Sequence, residues 1–369
     1  FGYRSIFTKH TQNIKLTAGI DLARINLDYS RILRHTDTLY SFGQNDLRPD
    51  PSHYYLVVQP AQFNSVFNNS AYNASGYMDL SFLLFHHLTL NPGIRYDYTG
   101  FSKQNTVSPR FSGSYGLDDK QSINFAAGIY YQDPAYDYVA SQPGGNTLKN
   151  ERTIQYILGY RVYFSSDLKL TAESWYKQFN DLAVVPYTGQ SIANNNGTGY
   201  AYGADINLTK RLSEKYYGQI GYSYMLSKRN DHNGLGTYNY IFSQPHVISL
   251  LGSYQPNKKW IFSGKFRYST GRPTDRYVVH DNVLNKPAYL RDSQEIFGKN
   301  ENRLPDFVSL DMRADYKIQY EKSAVTIFFD IVDVNNRFNP SAEIFQPLTG
   351  KTYNLGLAVF PTFGVRIGL

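Results

Sequence analysis

Residues 200–227, YAYGADINLTKRLSEKYYGQIGYSYMLS, contain two alternating runs separated by one short charged turn at 211–215. In each run, aromatic, aliphatic or small residues hold every second position, and mostly polar or small residues lie between them. A period of two is typical of a β-strand with one apolar and one polar face. Each run is about ten residues long, whereas strands in globular proteins average about five or six. The apolar phases are Tyr200, Tyr202, Ala204, Ile206 and Leu208, then Tyr216, Gly218, Ile220, Tyr222, Tyr224 and Leu226.

This unit, a long hairpin with a tight polar turn, recurs along almost the whole chain. Short connections alternate with long ones, which is typical of the tight periplasmic turns and extended outer loops of outer-membrane barrels. The long irregular connections are expected at about 34–74, 132–147, 181–199, 228–244 and 270–304, with a shorter loop through residue 104. The pattern predicts about 15 strands, near 3–7, 14–22, 78–84, 88–98, 111–117, 123–131, 154–162, 168–176, 200–208, 216–226, 248–254, 260–268, 308–318, 325–331 and 361–369.

The aromatic residues favour a membrane barrel over a soluble β-sandwich, the alternative in which they form a buried core. The chain has 34 tyrosines and 23 phenylalanines, and aromatics make up 16% of it. Outward-phase aromatics lie near both strand ends, as in interfacial girdles. From Tyr216 to Tyr224 a strand rises about 27 Å. A tilt of about 40° reduces this to roughly 21 Å, near the ~25 Å apolar band of such barrels.

Other bulk properties exclude several classes. Mean hydropathy is −0.46, and no run of about 18 apolar residues exists, so helical membrane spans are not expected. The formal charge is +7, but the basic residues are scattered, so no nucleic-acid partner is expected. With no cysteines, disulfides and thiolate metal sites are excluded. The sequence begins within a strand pattern, without a start methionine or signal peptide, so we expect a piece of a longer protein.

Four segments resemble those of TonB-dependent outer-membrane receptors. Residues 146–152, NTLKNER, are similar to the N-x-x-L-K-P-E strand entry, with Asn150 in place of proline. Residues 90–98 resemble the family's G-x-R-Y-D strand, and residues 268–273 and 330–338 resemble its late segments. The closing strand resembles a barrel-assembly signal, although such signals usually end in an aromatic residue rather than Leu369.

The resemblance implies a 22-stranded transmembrane antiparallel β-barrel around an N-terminal plug. Residues 1–369 would then be the C-terminal portion of the barrel. The plug, the TonB-contacting segment and about seven strands are expected outside this chain. An odd count of 15 agrees, since an odd number of strands cannot close with every neighbour antiparallel.

Two groups of residues are candidates for binding. Aromatic and basic residues in the long loops can hold sugars, peptides or anionic chelates, although loop–loop packing is the alternative for each. These are Tyr54, Tyr55, Tyr136, Tyr138, Tyr187, Tyr238, Tyr240, Phe242, Arg276, Tyr277 and Arg291. The second group consists of inward-phase charges expected to face the lumen: Arg95, Asp97, Lys265, Arg267, Asp311, Arg313, Asp315 and Arg366.

The sequence predicts no catalytic residues, metal or cofactor. His86 and His87 lie in a short polar turn, and the pairs Asp118/Asp119 and Asp330/Asp333 have too few ligands for a calcium loop. Gly144 and Gly145 do not lie between a strand and a helix, so no phosphate cradle is expected.

Three functions are compatible with these features. The first is TonB-dependent active transport of a scarce nutrient across the Gram-negative outer membrane, with outer-membrane lipid, the plug and the TonB complex as partners. The second is a scaffold barrel that binds a surface lipoprotein or secretion partner, and the third is a plugless porin-like channel.

Overall fold

A computed structural model describes most of the chain. It covers residues 1–33, 39–41, 55–58, 63–140, 148–184, 193–213, 215–234, 236–275, 277–281, 287–291, 299–321, 323–337, 339–346, 351–357 and 359–368. Only the backbone is described for 31–33, 39–41, 55–58, 63–65, 137, 140, 277–281, 287–291, 340–346 and 351–357. Within the described residues, no helix is long and apolar enough to cross a membrane.

The described elements are almost all strands. In chain order they are β1 (Gly2–His10), β2 (Ile14–Leu33), β3 (Leu39–Ser41), β4 (Tyr55–Val58), β5 (Phe63–Leu84), β6 (Leu88–Thr99), β7 (Gln104–Gly116), β8 (Gln121–Gln132), α1 (Tyr136–Ala140), β9 (Glu151–Tyr163), β10 (Leu168–Val184), β11 (Asn194–Ser213), β12 (Tyr216–Asn230), β13 (Thr237–Asn239), β14 (His246–Tyr254), β15 (Trp260–Ser269), β16 (Pro273–Thr274), β17 (Tyr277–Asp281), β18 (Pro287–Arg291), β19 (Asn302–Arg303), β20 (Phe307–Gln319), β21 (Ala324–Val332), β22 (Asn339–Gln346), β23 (Lys351–Leu357) and β24 (Phe360–Gly368).

One sheet contains all the long strands. Its order is β1-β2-β5-β6-β7-β8-β9-β10-β11-β12-β14-β15-β20-β21-β24, and the short β13 pairs with β12 as a sixteenth strand. These are the 15 predicted strands in the predicted order, each antiparallel to its neighbours. The remaining strands form small local pairs within the long connections. An all-antiparallel sheet that follows chain order is the arrangement of an up-and-down barrel wall.

The first long connection is shorter than predicted. We expected irregular chain over about 34–74, but β5 begins at Phe63 and pairs with β2 through 20 residue pairs, from Ile14↔Phe82 to Leu33↔Phe63. The Asn-rich segment 64–73 does not alternate, because the β2–β5 hairpin extends beyond β6, where no membrane face imposes a binary pattern. The pairing of β5 with β6 reaches only Ala74↔Tyr98.

The strict alternation of short and long connections fails once. β6 ends at Thr99 and β7 begins at Gln104, so their connection is as short as a turn, and β7 starts seven residues before the predicted strand at 111. Pro109 explains why this start was not predicted, because proline cannot donate to a ladder and argues against a central strand. Pro109 pairs with Ile94 of β6, whereas the β7–β8 ladder begins at Arg110. The proline therefore lies where β7 has only one partner.

The sheet has two chemically different faces. Starting from Asp21, the register Asp21↔Ser75↔Asp97↔Thr106 follows one face across four strands. The other face exposes large apolar side chains from β2 to β24, including Ile20 (54% exposed), Leu158 (57%) and Val365 (54%). An apolar band of this extent would not remain in water on a soluble monomer. It is the lipid-facing surface expected of a barrel.

The only buried apolar cluster found among the described residues lies outside this band. Ala71, Phe101 and Val139 pack together, and Ile25, Leu27 and Phe67 pack against them. This cluster attaches α1 to the extended β2–β5 hairpin.

Candidate functional site

The eight charged residues predicted to face the lumen share one face of the sheet. The register joins Lys265 to Asp311 and Arg267 to Ser309 on neighbouring strands. It also joins Arg313 to Asp330, and Thr326 to both Lys317 and Arg366. Arg95 and Asp97 lie on the same face, opposite the apolar band. That this face lines the lumen of a closed barrel stays a prediction.

Most of these charges are already paired. Arg95 donates to both carboxylate oxygens of Asp97, with Nη2–Oδ1 at 2.7 Å, and donates to Ser75 Oγ at 2.8 Å. Arg313 and Asp315 form an equivalent pair, with Nη2–Oδ1 at 2.7 Å. Bidentate contacts of this kind hold an arginine in one orientation. Within each pair the two charges also cancel.

A cavity of 670 Å³ opens on this face, in the half of the sheet nearer the long connections. Arg4, Asp21, Arg95 and Asp97 form its charged wall. Uncharged polar residues form another part, and these are largely buried: Ser75, Thr99, Thr106, Ser108 and Asn150. Its size is that of a small-ligand pocket.

Tyr136 is the loop candidate that the fold brings to this cavity. It is the first residue of α1, lines the cavity and packs edge-on against Phe101 at a centroid distance of 5.8 Å. Burial, helped by the charge of Asp133, raises the pKa of the Tyr136 hydroxyl. Tyr136 is therefore a neutral hydrogen-bonding group beside Arg95 and Asp97, with its side chain 40% exposed.

Asn150 fixes the segment that leads into β9. Its side chain donates to Thr99 Oγ1 at 3.2 Å and accepts from Ser102 Oγ at 3.2 Å. Its backbone N–H donates to Gln104 Oε1 at 2.9 Å. Proline, which the family pattern has at this position, lacks that N–H. The departure from the pattern thus has a role here, because Asn150 ties the β8–β9 connection to the end of β6.

Another loop candidate, Tyr238, helps to hold two connections together. Tyr238 donates its hydroxyl hydrogen to Asp231 Oδ1 at 2.8 Å, and Lys299 Nζ lies 2.7 Å from Asp231 Oδ2 and 4.1 Å from the Tyr238 ring centroid. Although burial opposes it, hydrogen bonding to Asp231 and Tyr238 raises the pKa of Lys299. We call Asp231, Tyr238 and Lys299 the loop clamp. It joins the β12–β14 and β15–β20 connections.

The two neighbouring loop aromatics differ in exposure. The ring of Tyr240 lies against Arg229, whose Cζ is 4.3 Å from the ring centroid, and Arg229 also lies over Phe179 at 4.9 Å. Phe242 contacts Tyr240 edge-on yet is 54% exposed. Tyr238 and Tyr240 thus show the loop packing that was the alternative, while Phe242 has a free face.

The remaining candidates are only partly described. Tyr138 is half-buried in α1. Tyr54, Tyr187 and Arg276 lie outside the described residues, and Tyr55, Tyr277 and Arg291 are described by backbone alone. No group of three potential metal-ligating side chains stands together in the described part of the chain.

Sequence reasoning missed part of the cavity wall. Arg4 pairs with Asp21, and Arg110, which also lines the cavity, donates at 3.1 Å to Asp79, which does not. The signal was present, because these four residues occupy the polar phases of their strands. Only the register, which sets Arg4 directly opposite Asp21, shows that they meet.

Comparisons with known proteins agree with this architecture. Residues 2–336 match the model of a family described as TonB dependent receptor-like, beta-barrel. No curated protein matches the chain. Similar solved structures include the outer membrane transporter YddB from Escherichia coli, at 14% identity and a TM-score of 0.66, covering 99% of this chain and 53% of that one.

Two others are a ferric-catecholate receptor and a pyoverdine receptor. The ferric-catecholate import receptor Fiu from E. coli has 12% identity and a TM-score of 0.67, with 100% of this chain and 54% of that one covered. The pyoverdine receptor FpvA from Pseudomonas aeruginosa has 12% identity and a TM-score of 0.64, with 99% and 51% covered. The chain therefore spans about half of each structure, and at these identities the likeness shows the fold alone. Because the family model matches nearly the whole chain, the chain belongs to the TonB-dependent receptor β-barrel family of the Gram-negative outer membrane.

Proposed function

We propose that the whole protein is a TonB-dependent transporter that takes a scarce nutrient across the outer membrane. In this proposal the described sheet is part of the transport wall, and the cavity beside Arg95 and Asp97 is a ligand-holding site above the plug. The observation that carries the proposal is the cavity itself, since a charged and hydrogen-bonding site lies on the polar face at the loop end of the sheet. The plug domain and the TonB complex are the expected partners.

The charge balance of the cavity favours a neutral or zwitterionic polar ligand, such as an oligosaccharide or a short peptide. Three arginines line it, Arg4, Arg95 and Arg110, together with the three aspartates Asp21, Asp97 and Asp133. The arginines hydrogen-bond to aspartates, so an anionic chelate would have to displace carboxylates from them. The hydroxyls that line the cavity and the Tyr136 ring suit sugars and peptides, through hydrogen bonds and contact with apolar faces.

Uptake in cells with and without TonB tests the function. We expect accumulation of a radiolabelled oligosaccharide or peptide from a small panel only when TonB is present. Replacing Asp97 by Ala should abolish most of this uptake, because it frees Arg95 and changes the charge of the cavity. Replacing Asp315 by Ala, which disrupts an equivalent pair far from the cavity, is the matched control.

The alternatives predict other results. Steady conductance in planar bilayers without TonB would support the porin-like channel. Stoichiometric co-purification of a surface lipoprotein, without any uptake phenotype, would support the scaffold. Selective uptake of a ferric catecholate, unchanged in the Asp97 variant, would contradict the ligand class and the assigned site.

A further inference from the structure

A groove of 570 Å³ opens on the apolar face, beside three short turns. These turns join β11 to β12, β14 to β15 and β20 to β21. Gly252 and Gly264 form the floor, and the register continues this row to Gly218 on the next strand. Tyr254 and Phe262 lie in the adjoining row towards the turns, and Phe329 and Ile331 close one end.

Internal packing does not require these glycines. A Cβ atom on Gly218 would lie 3.7 Å from the nearest heavy atom, and one on Gly252 or Gly264 would lie 4.0 Å away, which are ordinary contacts. By contrast, a Cβ on Gly203 would lie 2.3 Å from Tyr224 O. Glycine weakens a strand interior and often marks a place where another molecule comes close. Three adjacent strands therefore leave open a space that the protein does not fill.

Aromatic rings line the turn side of the groove. Tyr216 and Tyr254 stack at a centroid distance of 5.0 Å, and Trp260 stacks on Phe262 at 5.6 Å. Tyr316 contacts Trp260 at 4.8 Å. Aromatic girdles of this kind lie at the level of lipid headgroups. The groove thus lies just inside the hydrocarbon region, on the leaflet that the short turns face.

The same three turns are basic. Lys215, Lys258 and Lys259 are exposed, and none has an ion pair with the described residues. Backbone hydrogen bonds hold the turns side by side, from Gln255 N to Lys215 O at 2.8 Å and from Lys317 N to Lys259 O at 2.7 Å. Residues 211–215, 255–259 and 320–323 contain five basic and two acidic residues, whereas the turns at 117–120 and 164–167 contain one lysine and three aspartates.

We propose that this groove binds an anionic phospholipid of the periplasmic leaflet. One acyl chain would lie along the glycine floor, against Tyr254 and Phe262, and the phosphate would bind the lysines of the basic turns. The occupant follows from position and charge together. The apolar face is the surface in contact with lipid, short turns face the periplasm in such barrels, and basic clusters at a membrane surface attract anionic headgroups.

Native mass spectrometry of the full-length receptor tests the proposal. The purified receptor would be incubated in detergent with phosphatidylglycerol or phosphatidylethanolamine, and retained lipid adducts counted. We expect phosphatidylglycerol to be retained preferentially. Gly252→Val with Gly264→Val should cause a several-fold loss of adducts, because the side chains fill the groove. Lys215→Gln with Lys258→Gln and Lys259→Gln should abolish the preference for phosphatidylglycerol.

Matched controls make the outcome decisive. Gly76→Val is a similar change on the same face, with its nearest contact at 3.9 Å, and Lys120→Gln changes a lysine at an acidic turn. Both should retain lipid as the wild-type receptor does, and far-UV circular dichroism would verify that every variant folds. Equal retention of both lipids by the wild-type receptor would overturn the proposal. So would unchanged lipid retention by the Gly252→Val, Gly264→Val variant.

Discussion

At the scale of single residues, Asn150 shows how one side chain positions a connection. It is 4% exposed, and its amide and backbone N–H contact Thr99, Ser102 and Gln104. The family pattern has proline at this position, so Asn150 is a departure from it. The structure shows a different solution, in which hydrogen bonds replace the stiffness of a proline ring.

Replacing Asn150 by Ala should destabilise the barrel by about 1–3 kcal/mol, because the buried Thr99 hydroxyl and the half-buried Ser102 hydroxyl each lose a hydrogen bond. Urea unfolding of the refolded receptor in detergent measures this change. Asn68→Ala is the control, since Asn68 is exposed, and it should change the stability by no more than about 0.5 kcal/mol. Equal losses in the two variants would show that the Asn150 contacts do not matter.

Asp306 gives a pH-dependent contact at the same scale. It accepts hydrogen bonds from the Gly271 N–H at 3.0 Å and the Tyr268 hydroxyl at 2.8 Å, and these hold its pKa below the ordinary value. The contribution to stability is therefore complete above the unfolded pKa and is lost as the pH falls through the lowered pKa.

Hydrogen exchange of residues 299–306 between about pH 3 and pH 6 tests this contact. After correction for intrinsic rates, protection should fall at the acidic end in the wild-type receptor. Asp306→Asn keeps an acceptor oxygen but cannot titrate, so its protection should not vary over this range. A parallel acid-dependent loss in both proteins would assign the effect to another group.

At the scale of elements, the loop clamp of Asp231, Tyr238 and Lys299 joins two connections. Lys299 and Asp231 are 29% and 13% exposed at their side chains, so solvent weakens their attraction only in part. Replacing Lys299 by Met should speed hydrogen exchange in residues 237–240 by roughly five- to tenfold, equivalent to about 1–1.4 kcal/mol. Lys149→Met, at an exposed lysine, should leave these amides unchanged, and similar acceleration in both variants would refute the clamp.

Alternation predicted every long strand in order, because a membrane face on one side and polar surroundings on the other impose a period of two. It failed where those conditions end. The outer parts of β2 and β5 lie beyond β6. There β2 alternates in the opposite phase, with Ala23, Ile25 and Leu27 on the apolar side, and residues 64–73 of β5 do not alternate. Proline argues against a strand, so the start of β7 was not predicted. Pro109 is tolerated there because the β7–β8 ladder begins only at Arg110 and β7 has a single partner at Pro109. The local hairpins β17–β18 and β22–β23 were missed because they lie within polar connections.

The candidate site was less predictable than the strands. Periodicity assigned Arg95 and Asp97 to the polar face, but no sequence rule sets Arg4 opposite Asp21 across a hairpin. The roles of the loop aromatics were harder to predict. Tyr238 hydrogen-bonds within its own connection and Tyr136 lines the cavity, and composition alone does not distinguish the two.

At the scale of the whole molecule, the two faces of the sheet require two different solvents. Ile220 lies midway between the girdle residues Tyr216 and Tyr224 and is 52% exposed. Replacing it by Lys should cost about 2–4 kcal/mol, the cost of a charge near the bilayer midplane. The adjacent Gln219→Lys, on the polar face, should cost far less. Equilibrium folding into phosphatidylcholine vesicles measures both, and equal costs would contradict the assignment of faces.

The central claim, that this sheet separates lipid from a water-filled lumen, is tested most directly by cysteine scanning along β12. The chain contains no cysteine, so single cysteines at 218–224 can each be labelled in membranes containing the full-length receptor. We predict that a water-soluble maleimide labels positions 219, 221 and 223, while a fluorophore at 218, 220, 222 and 224 is quenched by a lipid-borne quencher. Labelling without a period of two, or aqueous labelling at position 220, would contradict the membrane barrel.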